Sequence, residues 1–240
     1  MRRIRLTTRP SVLFGAMLFL ALIVLLPMRI VLGAAAAGEE GLSARRVSGS
    51  IWDARLREAR FGDVVLGDVK ARLSPFALLI GRARLVFSGP GGVAPPLEGA
   101  AEIGRHLVAL DDVTARLPVA GVFNPLPVAS LDLEGVSVRF RDETCESADG
   151  RVRAVMATED GVLPLPPTLS GMARCDAGAL LLPLTGTSGT EGVTLRIRPD
   201  GRYTADLTLA AGDAATIERL GRLGFAPGPG GYRLSVQGRF

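Results

Sequence analysis

The hydrophobic rhythm of the chain changes once. From Pro10 to Met28 it runs 19 residues without a charge, dense in Leu, Phe, Val and Ile and with no polar face. As an α-helix rising about 1.5 Å per residue, such a run spans close to the ~30 Å hydrocarbon core of a bilayer. Beyond residue 45 the period becomes two, the mark of half-buried strands. Val193, Leu195 and Ile197 alternate with Thr194, Arg196 and Arg198. Pro199-Asp200-Gly201 then offers turn chemistry, and Tyr203, Ala205, Leu207 and Leu209 alternate back, which predicts a hairpin. Leu131 to Leu133 and Val136 to Phe140 keep the same period but slip phase at Glu134-Gly135, which predicts a bulge. A last strand carries Tyr232, Leu234, Val236 and Phe240 after the flexible Gly228-Pro229-Gly230-Gly231.

Two short helices are predicted after the apolar run. Asp213 can cap one that continues through Arg222, with Ile217, Leu220 and Leu223 on one side. Ser74-Pro75 can open the other, with proline at the first helical position and Phe76 to Ile80 following. The Gly- and Pro-rich stretches Pro90 to Pro96 and Pro164 to Pro167 read as interruptions of strand ladders. Residues 66–75 and 110–118 echo each other at an offset of 44, each a strand-like segment closed by proline.

These patterns predict a mainly β protein: one N-terminal transmembrane helix, then a curved antiparallel β-sheet domain with one or two short helices. The expected divisions are a tail at 1–9, an anchor at 10–32, a linker at 33–45 and a β-rich domain at 46–240. Arg2, Arg3, Arg5 and Arg9 precede the apolar run, so the positive-inside rule puts the N-terminus in the cytoplasm and exports the rest. The alternative is a cleaved signal peptide, for which Leu32 to Ala37 supplies small residues. The length of the run, and Arg29 between it and the alanines, favour an uncleaved anchor.

Charge then changes one reading. The net +4 would suggest nucleic acid as a partner, but five of the 28 basic residues lie in the first 30 positions. The remaining 23 face 24 acidic residues, aromatic content is 5 %, and no basic stretch is interleaved with aromatics, so nucleic-acid binding is not expected.

Candidate chemistry is sparse. Cys145 and Cys175 are the only cysteines, and in an exported domain a lone pair reads as a disulfide, with two free thiols as the alternative. His106 is the only histidine, too little for zinc beside a disulfide, and reads as a solvated side chain. No Gly-x-Ser-x-Gly elbow and no phosphate loop is present, and Glu39-Glu40, Asp142-Glu143 and Glu159-Asp160 sit in turn-like stretches. No catalytic residue, metal site or cofactor is expected. Trp52, the single tryptophan, reads as a core anchor at the start of the sheet, the alternative being a contact for a partner.

The order of several short motifs carries more than any one of them. After the anchor come Leu42 to Trp52 (LSARRVSGSIW), Leu66-Gly67-Asp68-Val69, Leu73-Ser74-Pro75 and Leu78 to Arg82. Cys175 to Leu180, Leu182-Pro183-Leu184 and Asp200-Gly201-Arg202-Tyr203 follow. In that order the chain resembles the protein N family of the type II secretion system over nearly its whole length, with Arg46 and Lys70 as departures. The resemblance implies a Gram-negative inner-membrane protein, single-pass, with its main domain in the periplasm. It also implies a non-enzymatic accessory role in exporting folded proteins across the outer membrane, through contacts with other type II secretion subunits. Gly49, Trp52, Leu73, Ser74, Pro75 and Gly81 are the candidates for a structural or interaction motif.

Two other classes compete. The Gly-Ser-Ile-Trp start and the Leu-Ser-Pro unit also resemble inner-membrane proteins of the AsmA type, which would make the domain a β-groove for lipid transport and lipid its ligand. An outer-membrane barrel would need aromatic girdles, and two tyrosines and one tryptophan do not supply them.

Overall fold

The computed structural model describes residues 42–62, 64–90, 96–157, 165–210 and 212–239, with scattered positions between 13 and 28. The expected tail, most of the anchor and most of the linker lie outside the described residues, as do Phe240 and much of the two proline-rich loops. Leu13, Phe14, Met17 and Leu18 are described, helical and exposed. Among the described residues no helix is long and apolar enough to cross a membrane.

The described strands form one antiparallel sheet. They are β1 (Leu42–Ser50), β2 (Asp53–Phe61), β3 (Val64–Leu73), β4 (Ala83–Ser88), β5 (Glu98–Gly104), β6 (Leu107–Pro118), β7 (Val128–Arg141) and β8 (Thr144–Met156). After these come β9 (Thr168–Met172), β10 (Arg174–Asp176), β11 (Ala179–Thr185), β12 (Glu191–Ile197), β13 (Arg202–Leu209), β14 (Ala226–Gly228) and β15 (Gly231–Arg239). Successive strands pair, except that β9 and β10 both lie beside β11, and β13 pairs with β15, leaving β14 at the edge. β9 and β10 keep one register against β11 and amount to a single strand interrupted at Ala173. β1 begins at Leu42, so the sheet takes in the end of the stretch expected as linker. Its backbone pairs with β2 from Leu42↔Phe61 to Ser50↔Asp53 regardless of the charges at Arg45-Arg46.

Side chains directly opposite in paired strands share a face, so the registers define the two faces of the sheet. One face is apolar throughout. It carries Ala71, Phe87, Val113, Val136, Val152, Leu169, Leu184, Val193, Leu207 and Leu234 from successive strands. The other is ionic, with cross-strand pairs such as Arg84–Asp111 (2.6 Å), Arg116–Asp132 (2.7 Å) and Arg233–Asp206 (2.9 Å).

The sheet is open and curled toward its apolar face. Cα atoms of β3 and β6 approach within 8 Å although β4 and β5 lie between. A flat sheet would hold them about 14 Å apart. Bulges supply the bend: the register shifts at Leu56/Ala59, Leu110/Val113 and Glu134/Ser137, with positive φ at Glu58, Asp112 and Gly135. The expected bulge at Glu134-Gly135 is one of them. The expected hairpin is β12–β13, and both expected helices are present: α1 (Pro75–Leu79) and α2 (Ala214–Arg222).

Two hydrophobic clusters fill the hollow. The larger covers β7 to β13 and is closed by the segment between β6 and β7, through Val119, Phe123 and Leu126, and by Leu220 and Phe225 at α2. Phe123 packs edge-on against Tyr203 with ring centroids 5.2 Å apart, and the Tyr203 hydroxyl donates to the Val122 carbonyl at 2.6 Å. The smaller lies on β1 to β3 and consists of Ile51, Leu56, Val69, three alanines and Met28. The two echoing segments occupy β3 and β6, and both bury Val and Ala at matching positions, Val69 with Ala71 and Val113 with Ala115.

Candidate functional site

The six candidate motif residues gather at one end of the sheet, where β1 turns into β2 and β3 gives way to α1. Gly49 has φ +93°, and a Cβ there would collide with the Asp53 carbonyl, so only glycine closes the β1–β2 turn. Trp52 is half-buried and packs against the smaller cluster. The Leu73 amide donates to the Ile51 carbonyl (3.0 Å) and the Ser74 amide to the Arg84 carbonyl (2.8 Å), which ties the motif to both neighbouring strands. Pro75 starts α1, and the Ser74 hydroxyl makes no capping bond. Gly81, at φ +74°, lets the chain leave the helix toward β4. The motif therefore builds a short helix and presents it.

What it presents is apolar and, among the described residues, uncovered. Phe76, Leu79 and Ile80 are 79 %, 83 % and 70 % exposed. On the apolar face at the same end, Ile103 and Val108 pair across β5 and β6 and are also exposed. From the sequence, Phe76 to Ile80 reads as a helix, and Leu78 to Arg82 as part of the family motif order. Five residues cannot bury a full helical face, and that was the available signal.

The ionic face beside this end is rich in unbalanced cations. Arg46 pairs with Arg57, and Arg55 with Lys70, directly across the strands. Like charges directly opposite are destabilising, with Cα atoms only about 5 Å apart. Among the described residues no carboxylate forms an ion pair with any of the four, whereas nearby Arg45 holds Glu58 and Arg72 holds Asp53. Strand pairing brings Lys70 and the arginines of residues 46–57 onto one face.

Ion pairs lace the neighbouring strands β4 to β7. Arg82 and Arg84 both reach Glu102, which is buried. Arg116 forks onto Asp132 through Nε (2.7 Å) and Nη2 (2.9 Å), and this bonding raises the arginine pKa. The bulges of β6, β7 and β8 leave an open depression of about 410 Å³ lined by Asp111, Ser137, Arg139, Glu146 and Asp149. His106 Nδ1 lies 3.1 Å from Asp142, with both side chains largely in solvent. Cys145 and Cys175 are bonded, joining β8 to β10, and the Cys145 amide donates to the Gly178 carbonyl (2.9 Å) beside the bridge.

The edges of the sheet are unequal. β14 spans three residues, while β1 offers nine with no proline, and Ser43, Arg45, Arg46 and Ser48 are exposed along it. An uncovered strand edge is a template for pairing with another chain.

The fold is thus an open, two-faced antiparallel β-sheet in which, among the described residues, nothing pairs with the outer edge of β1 or covers the α1 end. The family model for "Type II secretion system (T2SS), protein N" matches residues 40–235. The chain belongs to that family, and is a component of type II secretion. It is 27 % identical to the type II secretion system protein N of Vibrio cholerae serotype O1 (strain ATCC 39315 / El Tor Inaba N16961), an alignment covering 95 % of this chain and 97 % of that protein. No solved structure matches it.

Proposed function

We propose that the chain is a non-enzymatic accessory component of the type II secretion system. It is held in the inner membrane by a single N-terminal span, with the N-terminus cytoplasmic and the sheet domain in the periplasm. The sheet contacts other secretion subunits during export of folded proteins. The observation that carries this reading is β1, a nine-residue open edge on a domain of this family. Added strands gain main-chain hydrogen bonds there without remodelling the core.

A second reading, an AsmA-like lipid carrier, is favoured by the uncovered apolar face at Ile103 and Val108. Against it, the space left between Phe123, Leu126 and the sheet is about 10 Å³, which holds no acyl chain.

Photoreactive residues at Ser43 and Ser48 in the intact cell envelope test the choice. Capture of another secretion subunit at both positions is expected. Capture of lipid alone sinks the docking role in favour of the carrier.

A further inference from the structure

We propose that the α1 end of the sheet is a membrane-docking tip, which inserts into the bilayer that holds the anchor and is steered there by the four unpaired cations. The proposal rests on the reading of residues 10–28 as an uncleaved anchor.

Three observations converge on a lipid surface as the occupant. First, Phe76, Leu79 and Ile80 stand almost wholly in solvent on a helix too short to pack against the sheet. Ile103 and Val108 extend the uncovered apolar area at the same end. An apolar tip of this kind gains by burial among acyl chains.

Second, the neighbouring ionic face brings two cross-strand pairs of like charge together on adjacent strands. Arg55 and Lys70 lie two residues below the row that ends at α1, and Arg46 and Arg57 lie just beyond. Two cross-strand pairs of like charge oppose folding of the free domain. An anionic surface offsets that repulsion, and a cation within a Debye length of one raises partitioning about five-fold.

Third, the chain can reach. Thirteen residues separate Met28 from Leu42, a tether of roughly 50 Å at full extension. β1 itself is about 30 Å long. The α1 end can therefore meet the bilayer from the far end of β1, and Met28 already belongs to the cluster that contains Ile51 of the β1–β2 turn.

The test uses the full chain with Leu79→Cys carrying an environment-sensitive fluorophore, the native disulfide kept, in vesicles of zwitterionic lipid with or without anionic lipid. With anionic lipid, the label should emit at shorter wavelength and be quenched roughly two-fold or more by lipids spin-labelled on the acyl chain. A label at Ile217→Cys on α2 should stay unquenched. The double variant Arg55→Glu with Lys70→Glu should lower the quenching to its level in zwitterionic lipid.

An unquenched, water-like label on chains that still float with the vesicles after an alkaline wash overturns the tip and leaves the anchor standing. Chains that do not float overturn the anchor and the tip together. A short-wavelength label without lipid quenching means that a second copy of this chain covers α1, and it overturns the proposal too. Quenching that is equal in both lipids removes the role given to the cations.

Discussion

The two halves of this one sheet solve the same problem differently. From β7 onward the apolar face buries Leu169, Leu184, Leu207 and Leu209, because the segment after β6 and helix α2 lie over it as a lid. From β1 to β3 the same face buries Ala54, Ala59 and Ala71 beside fewer large side chains. Alanine suits a face that curls on itself, since little depth is available for side chains. The C-terminal half therefore carries the stability, and the N-terminal half keeps exposed apolar and cationic surface that stability alone would remove.

The sharpest way to break this contrast is to truncate one leucine in each half. Leu207→Ala removes a side chain with no solvent exposure and should cost about 3–4 kcal/mol in urea unfolding. Leu56→Ala, in the smaller cluster, should cost about 2 kcal/mol because its surroundings can collapse further. Equal costs would mean that the two clusters are one cooperative core.

The disulfide comes next. Cys145 and Cys175 are 30 residues apart, and closing such a loop stabilises by about 3–4 kcal/mol in the chain-entropy model. The double Ser variant should lose that amount in denaturant, while hydrogen exchange in β1 to β3 is unchanged. Acceleration there would show that the halves are coupled.

Tyr203→Phe should cost about 1 kcal/mol by deleting the bond that ties the lid to β13. Burial raises the phenol above its ordinary value near 10. A raised acid is protonated preferentially in the folded state, so its contribution is intact below the unfolded pKa and is lost as pH rises through the folded one. Wild type should lose stability in that alkaline window more steeply than Tyr203→Phe.

Asp213 is a milder probe of the lid. Its carboxylate accepts from the Thr216 amide at the start of α2, and that bond lowers its pKa. The contribution is present above the ordinary value near 3.9 and fades as pH falls through the depressed folded value. Asp213→Ala should lower the thermal unfolding midpoint near neutral pH, and by less in strong acid. The smallest effect is expected at the exposed tip. Phe76→Ser with Leu79→Ser should leave stability within about 0.5 kcal/mol, and a larger loss would mean that the tip packs inward.

Much of the fold was legible because its signals are local. The β12–β13 hairpin followed from two alternating runs around Pro199-Asp200-Gly201, α2 from the Asp213 cap, and the β7 bulge from a phase slip at Glu134-Gly135. The candidate motif was legible as a set of residues but not as a place. Gly49 and Gly81 were visible as glycines, yet only the Asp53 carbonyl shows why Gly49 admits no side chain. The basic patch was only half visible: Arg46, Arg55 and Arg57 lie in a basic stretch, but that they face one another and Lys70 across strands depends on register.

Taken alone, the order of residues determined the strand class, the turns, the short helices and the pairing partners of the two cysteines, since each depends on neighbours within a few positions or on there being one choice. Tertiary structure decided what depends on register and curvature. It set which residues face each other across strands, which half of the apolar face receives a lid, and which end is left bare. A one-residue change of register would exchange the two faces of a strand, so these outcomes belong to the assembled sheet and to no single segment.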